Sequence, residues 1–141
     1  MELGCKADQS SPVRISAAAA AAIRAAVRQS GHNEACGLLF GLPGDIREAT
    51  VAANVAAEPQ RRFEIDPAHL FDAHRRSRAG PLALLGCWHS HPDGQAVPSR
   101  HDRAGVADMD WLWLIATAQA MTLWRPAPDG FDPVALNGPG L

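Results

Sequence analysis

Two histidines one residue apart, His89 and His91, stand at the end of an apolar run covering residues 82–88. Such a run reads as a strand buried on both faces, and on a strand residues i and i+2 project from the same face. Both imidazoles therefore point the same way, and two ring nitrogens can converge on one metal ion. Pro92 cannot donate to a ladder and ends the regular pairing. Asp93-Gly94 and Val97-Pro98 then bring the chain round to Ser99-Arg100-His101-Asp102. Ser99 has the character of a helix N-cap, and Asp102 falls in the first turn, where a carboxylate favours the helix dipole. From there Asp102 can return beside the histidines as a third ligand. Two nitrogens, one carboxylate oxygen and an open fourth position suit a catalytic zinc, although iron or manganese would accept the same donors. His101 points elsewhere along that helix and reads as a surface residue.

The spacing His-x-His, seven residues, Ser-x-x-Asp resembles the motif of the JAMM (MPN+) metalloproteases. In that family a glutamate precedes a Gly-rich strand. Here Glu34 precedes Ala35-Cys36-Gly37-Leu38-Leu39-Phe40-Gly41, and no position of the motif is missing. The likeness in element order runs from about Val13 to about Leu136. It implies an α/β fold similar to cytidine deaminases, a JAB/MPN domain in three layers, and one zinc ion per chain on His89, His91 and Asp102. It further implies Glu34 as the group that takes a proton from the zinc-bound water and returns it to the leaving amine. Ser99, beyond its capping role, is implied as a donor to the oxyanion.

The activity so implied is that of a zinc isopeptidase or peptidase cutting after the C-terminal Gly-Gly of a ubiquitin-like protein. The compact chain is similar to bacterial members that act on sulfur-carrier proteins of the ThiS/MoaD type. Strands at 34–41 and 61–65 are expected to take the extended tail by β-augmentation, with Arg62 and Phe63 against it. Two readings stand as alternatives: a non-catalytic MPN scaffold, and an interaction module with a structural zinc. The second would use Cys36 and Cys87, which share strand faces with Glu34 and the histidines. Buried free cysteines more often serve as small apolar core residues. Cytidine deamination needs His-x-Glu with Pro-Cys-x-x-Cys, and zincins need His-Glu-x-x-His; neither pattern occurs.

The elements that must position these groups fit one domain. The chain has 141 residues, 47% hydrophobic and 20% charged, which suffices for one core and not for two. A polar tail is expected over residues 1–11 and a single domain over 12–141. A formal net charge of −2 gives no basic face for nucleic acid. Three cysteines cannot all pair, which favours reduced thiols and a cytoplasmic protein. The alanine run at 17–22 is too short to span a membrane. The pattern predicts a short edge strand at 13–15, a helix at 17–29 capped by Ser16, and strands at 34–41, 46–54 and 61–65. A helix from Pro67 to about Arg78, the metal-bearing strand and a short helix ending near Asp108 follow. Strands at 111–116, 121–124 and 131–136 complete a mixed sheet packed by helices.

Overall fold

The computed structural model describes residues 11–139 and Leu141, so the expected tail, apart from Ser11, and Cys5 lie outside the described residues. Val13–Ile15 form β1. Ser16 caps α1 (Ala17–Ser30), its hydroxyl accepting the Ala19 N–H. Alanine loses no side-chain entropy in a helix. The buried residues Ala19, Ala20, Ile23 and Ala26 recur at helical spacing and so make one stripe. Pro43-Gly44 joins β2 (Cys36–Leu42) to β3 (Asp45–Ala49), and Gly44 takes a φ of 75°, which its missing Cβ permits. α2 (Pro67–Ala79) opens with proline at its first position behind the Asp66 cap. β4 (Ala83–Ser90), α3 (Arg100–Ala104), β5 (Leu112–Ala116), β6 (Met121–Ala127), β7 (Gly130–Val134) and β8 (Leu136–Asn137) follow.

The strands make one mixed sheet in the order β7-β6-β5-β4-β2-β3-β1-β8. Period-two alternation divides the core between its faces. Leu39, Trp88, Leu112 and Leu114 pack with α1, whereas Leu38, Phe40, Cys87 and Trp113 pack with Ala73 and Leu70 of α2. Helices on both faces give the mixed, helix-packed sheet that the sequence predicts. β4 and β5 are parallel, so the chain crosses over between them, and that crossover carries α3 to the C-terminal end of β4.

Several elements depart from expectation for physical reasons. β1 is not an edge strand, because β8 pairs with it in parallel, Val13 against Leu136. The stretch 131–136 is extended but divided: its first part pairs with β6 and its last with β1, at opposite ends of the strand order. One continuous stretch of chain thus ties together both margins and curls the sheet back on itself. β3 stops at Ala49, short of residue 54. There the Thr50 hydroxyl accepts the Leu38 N–H and the Thr50 carbonyl takes the Trp88 indole N–H at 2.7 Å. Beyond it only isolated bridges continue, Ala52 to Cys36 and Asn54 to Ile65.

Residues 61–65 are not a strand. The Asn54 side chain takes the places of ladder partners, donating to the Arg62 carbonyl and accepting the Glu64 N–H. β2 is hydrogen-bonded on both sides, to β3 and to β4, so a peptide cannot pair with β2 itself. β2 opens at Cys36 and α3 closes at Ala104, both shorter than the sequence predicts.

Gly37 shows how tightly this end of the sheet is built. A Cβ there would collide with the Thr50 carbonyl oxygen and the Trp88 indole nitrogen, which are held to each other by their hydrogen bond. Gly37→Ala is expected to cost about 3 kcal/mol, the upper end of overpacking penalties. Thermal unfolding would register this as a fall in Tm of about 10 °C; an unchanged Tm would contradict it.

Candidate functional site

The register of β2 against β4 sets Cys36 opposite His89. Two residues further out on each segment, the same face brings Glu34 to His91. Ser90 keeps the two in step past the end of β2. Its amide donates to the Ala35 carbonyl at 2.9 Å, and its hydroxyl accepts the Ala35 N–H at 2.8 Å. Asp102 arrives from the crossover. The Ser99 hydroxyl accepts the Asp102 N–H and the Asp102 carboxylate accepts the Ser99 N–H at 2.8 Å, a capping box at the start of α3. The box turns that carboxylate back toward the end of β4.

Three side chains meet there, all buried. Asp102 Oδ1 lies 3.0 Å from His89 Nε2, Asp102 Oδ2 lies 3.1 Å from His91 Nε2, and the two ring nitrogens are 3.0 Å apart. Tetrahedral zinc bonds of 2.0–2.1 Å separate their donor atoms by about 3.3–3.4 Å, so this triangle is slightly tighter than one face of such a site. The Gln95 carbonyl, 2.6 Å from His91 Nδ1, can only accept. Nδ1 therefore carries the hydrogen, and the neutral ring turns a lone pair toward His89 and Asp102. Lone pairs of imidazole and carboxylate face one another only if a cation or a proton sits among them.

Glu34, His89 and His91 also form a group whose donor atoms lie within 4.8 Å of one another and that could hold a metal ion. The shorter separations put Asp102, rather than Glu34, in the innermost triangle. Among the described residues, Glu34 Oε1 and His89 Nδ1 are the buried side-chain polar atoms without a hydrogen-bond partner. Buried polar atoms are rarely left so. The donor types, their spacing and the unpaired Glu34 oxygen fit a divalent ion with a water beside it.

Burial raises the Glu34 carboxyl, His91 lowers it, and Asp102 and Asp93 raise it again, leaving it at about 7. Burial holds His89 below its ordinary pKa despite Asp102. Burial opposes the charge on His91 too, but the hydrogen bonds to Asp102 and Gln95 and the charges of Asp102 and Glu34 outweigh it, giving about 8. Asp102 is likewise opposed by burial, yet hydrogen bonds from both imidazoles and from Ser99 hold it well below the usual carboxylate range. A proton on His91 competes with a cation for the same lone pair. Zinc affinity of the metal-free protein is therefore expected to fall about tenfold per pH unit below about 8 and to level off above it. Competition with a chelator across that range measures it, and an affinity indifferent to pH would remove His91 from the ligand set.

Glu34, His91 and Ser99 line one cleft of about 440 Å³, together with Gln60 and Arg61. A second, more apolar cleft of about 560 Å³ begins at Asp102 and runs past Phe63, Leu70 and Trp111. The five residues singled out in the sequence, Glu34, His89, His91, Ser99 and Asp102, are thus brought together. His101 is half-buried and lines both clefts, outside the triangle of donor atoms. The Cys36 thiol faces the Ala52 and Ala53 carbonyls, and burial, then Glu34, pushes its pKa up to about 12. Burial above all raises Cys87 as well. Thiols held protonated are poor zinc ligands, which favours the packing role. Phe63, expected against the peptide tail, stacks its ring on His89 at 4.3 Å and 19°, and Asn54 is a part of the site that the sequence reading missed. The available signal was a lone amide in the otherwise apolar Val51-Ala52-Ala53-Asn54-Val55-Ala56-Ala57.

No helix among the described residues is long and apolar enough to cross a membrane. Residues 16–127 match the family described as prokaryotic homologs of the JAB domain. A desampylase of Haloferax volcanii is 34% identical over 87 residues, 60% of this chain and 62% of that protein, so the chain spans less than two thirds of the relative's length. A solved structure from Desulfitobacterium hafniense superposes with a TM-score of 0.76 at 27% identity, covering 89% of this chain and 92% of the other. A structure described as a JAMM metalloprotease-like zinc site in the proteasome and signalosome shares the fold, with a TM-score of 0.59 at 15% identity over 91% and 98% of the two chains. The match over most of its length and the shared fold make this chain a member of the compact prokaryotic JAB (JAMM/MPN) domain family.

Proposed function

We propose that this chain is a cytoplasmic zinc isopeptidase or peptidase that hydrolyses the amide bond after the C-terminal Gly-Gly of a ubiquitin-like or sulfur-carrier protein of the ThiS/MoaD type. The observation that carries this reading is the buried triangle of His89, His91 and Asp102 with the unpaired Glu34 oxygen beside it. The relative's name, desampylase, implies a ubiquitin-like protein as its substrate and supports the same class here.

Zinc suits two imidazoles, one carboxylate and an open position. When bound, the ion supplies Lewis acidity, polarising a carbonyl and bringing the pKa of water to about 7. The chain's own residues do the rest. Glu34, held near neutrality by burial, accepts the proton of the attacking water and passes it to the departing amine. The carbonyl oxygen gains negative charge as its carbon becomes tetrahedral. The Ser99 hydroxyl, in the same cleft, donates to it, a contribution of about 10²–10³-fold for such a donor. Two glycines pass a narrow cleft because neither carries a side chain to clear its walls.

The test offers the zinc-loaded chain a panel of Gly-Gly-linked conjugates of sulfur carriers and ubiquitin-like proteins, followed by mass spectrometry. Wild type is expected to release the carrier and Glu34→Gln is not. Cleavage of none of them would sink the substrate class.

A further inference from the structure

Asn54 is half-buried on the short segment between β3 and α2, and its side-chain amide is fully used. Nδ2 donates to the Glu34 carbonyl at 3.0 Å and to the Arg62 carbonyl at 3.1 Å. Oδ1 accepts the N–H of Ala56 and of Glu64, each at 3.0 Å. The orientation of the amide is not in doubt, since two carbonyls face one end and two N–H groups the other. Four backbone groups from three separate stretches are thereby fixed by one side chain. The first of these stretches carries Glu34. The hydrogen bonds to Arg62 and Glu64 bracket Phe63, which stacks on His89 at 4.3 Å and meets Trp113 edge-on at 5.7 Å.

This matters because His89 lacks the usual brace. An imidazole that serves a metal normally donates its other ring N–H to a carboxylate or carbonyl, which fixes its plane. His89 Nδ1 has no such partner. Its ring is held instead between the face of Phe63 and the edge of Trp113, 5.8 Å away. Residues 61–65 form no strand, so no ladder holds Phe63 in place. Besides Asn54, the Val55 N–H to the Glu64 carbonyl and the Arg61 and Arg62 N–H groups to the Glu58 carbonyl tie this stretch down on either side of Phe63.

We propose that Asn54 is a positioning residue of the active centre, setting the height of Glu34 over the metal site and, through Phe63, the plane of His89; this rests on the hydrolase reading of the same site. It touches neither substrate nor metal. Its amide acts as one clamp on two groups that the β2–β4 register alone leaves adjustable.

Asn54→Asp separates clamp from fold. The variant keeps an acceptor for Ala56 and Glu64 and loses both donors to Glu34 and Arg62. With zinc loaded, kcat is expected to fall about 10–100-fold, the scale of a misplacement of about 1 Å, with KM within about twofold and one zinc per chain retained. In the Glu34→Gln background the part of the effect that runs through Glu34 is already lost, so the same substitution should cost less than it does in the wild type. Full additivity, or an unchanged kcat, would overturn the proposal. A second readout needs no turnover. In the zinc-loaded protein the His89 ring protons lie over Phe63 and are shifted upfield by its ring current; in Asn54→Asp their NMR signals should move downfield. Unmoved signals would overturn the Phe63 part even if the wild type cleaves no conjugate and the hydrolase reading fails. Should Asn54→Asp not fold, Phe63→Leu is expected to remove the same shift and lower kcat with zinc retained, and an unchanged kcat there would count against the clamp.

Discussion

Zinc-loaded Glu34→Gln is expected to turn over its substrate about 10²–10⁴-fold more slowly than wild type, the range lost when a positioned acid–base group is removed, while keeping its metal. The separation of the two effects follows from distance. The Asp102 oxygens lie 3.0 and 3.1 Å from the ring nitrogens, whereas Glu34 joins them only in a group spread over as much as 4.8 Å. That looser placement suits a carboxylate that reaches a water rather than the ion. Metal analysis beside kinetics decides it, and loss of zinc together with activity would make Glu34 a ligand.

The same variant has a stability signature when the metal is stripped. Burial gives Glu34 a folded pKa of about 7, above its ordinary 4.5, so the folded state favours the protonated acid. Its contribution is full below about 4.5 and is lost as pH rises through about 7. Glutamine imitates the neutral acid at every pH. Metal-free Glu34→Gln should therefore unfold at a higher temperature than wild type at pH 8, and the gap should close on acidification toward 4.5.

Asp102→Asn is expected to lose the metal altogether at micromolar zinc. One carboxylate serves two imidazoles and the Ser99 N–H. Asparagine can still cap the helix, but it removes the anion and so a ligand. Affinity should fall by more than the roughly 10–100-fold typical of a merely supporting partner. The thermal consequence is larger than for most single changes. Zinc at a thousandfold over its Kd stabilises a binding-competent fold by about 4 kcal/mol, or roughly 10–15 °C in a domain of this size. A chelator should lower wild-type Tm by about that amount and leave Asp102→Asn unmoved. A chelator response that survives in the variant would exclude Asp102 from the site.

Much of this centre is legible in the chain because it rests on local rules. Period two puts His89 and His91 on one face, and an N-cap with its acid three residues on describes Ser99 and Asp102 without any tertiary knowledge. Glu34 is visible only through the resemblance, since its partner is set by the β2–β4 register, which no local pattern encodes. Residues 61–65 fail for a related reason. Their alternation is that of a strand, but a side chain from Asn54 occupies their hydrogen-bonding groups first. Thr50 likewise ends β3 by spending its hydroxyl and carbonyl on Leu38 and Trp88.

The extended stretch that runs from Gly130 to Asn137 has a further consequence for how the molecule is made. Val13 finds its partner Leu136 more than a hundred positions along the chain, so β1 stays open on that side until nearly the whole domain has been synthesised. Contacts so distant in sequence slow folding. Deleting 135–139 would uncover β1 at one rim, and with β7 loosened it would bare β6 at the other, giving neighbouring molecules two places to dock as foreign strands. The suture that shuts the sheet is thus also its safeguard against aggregation.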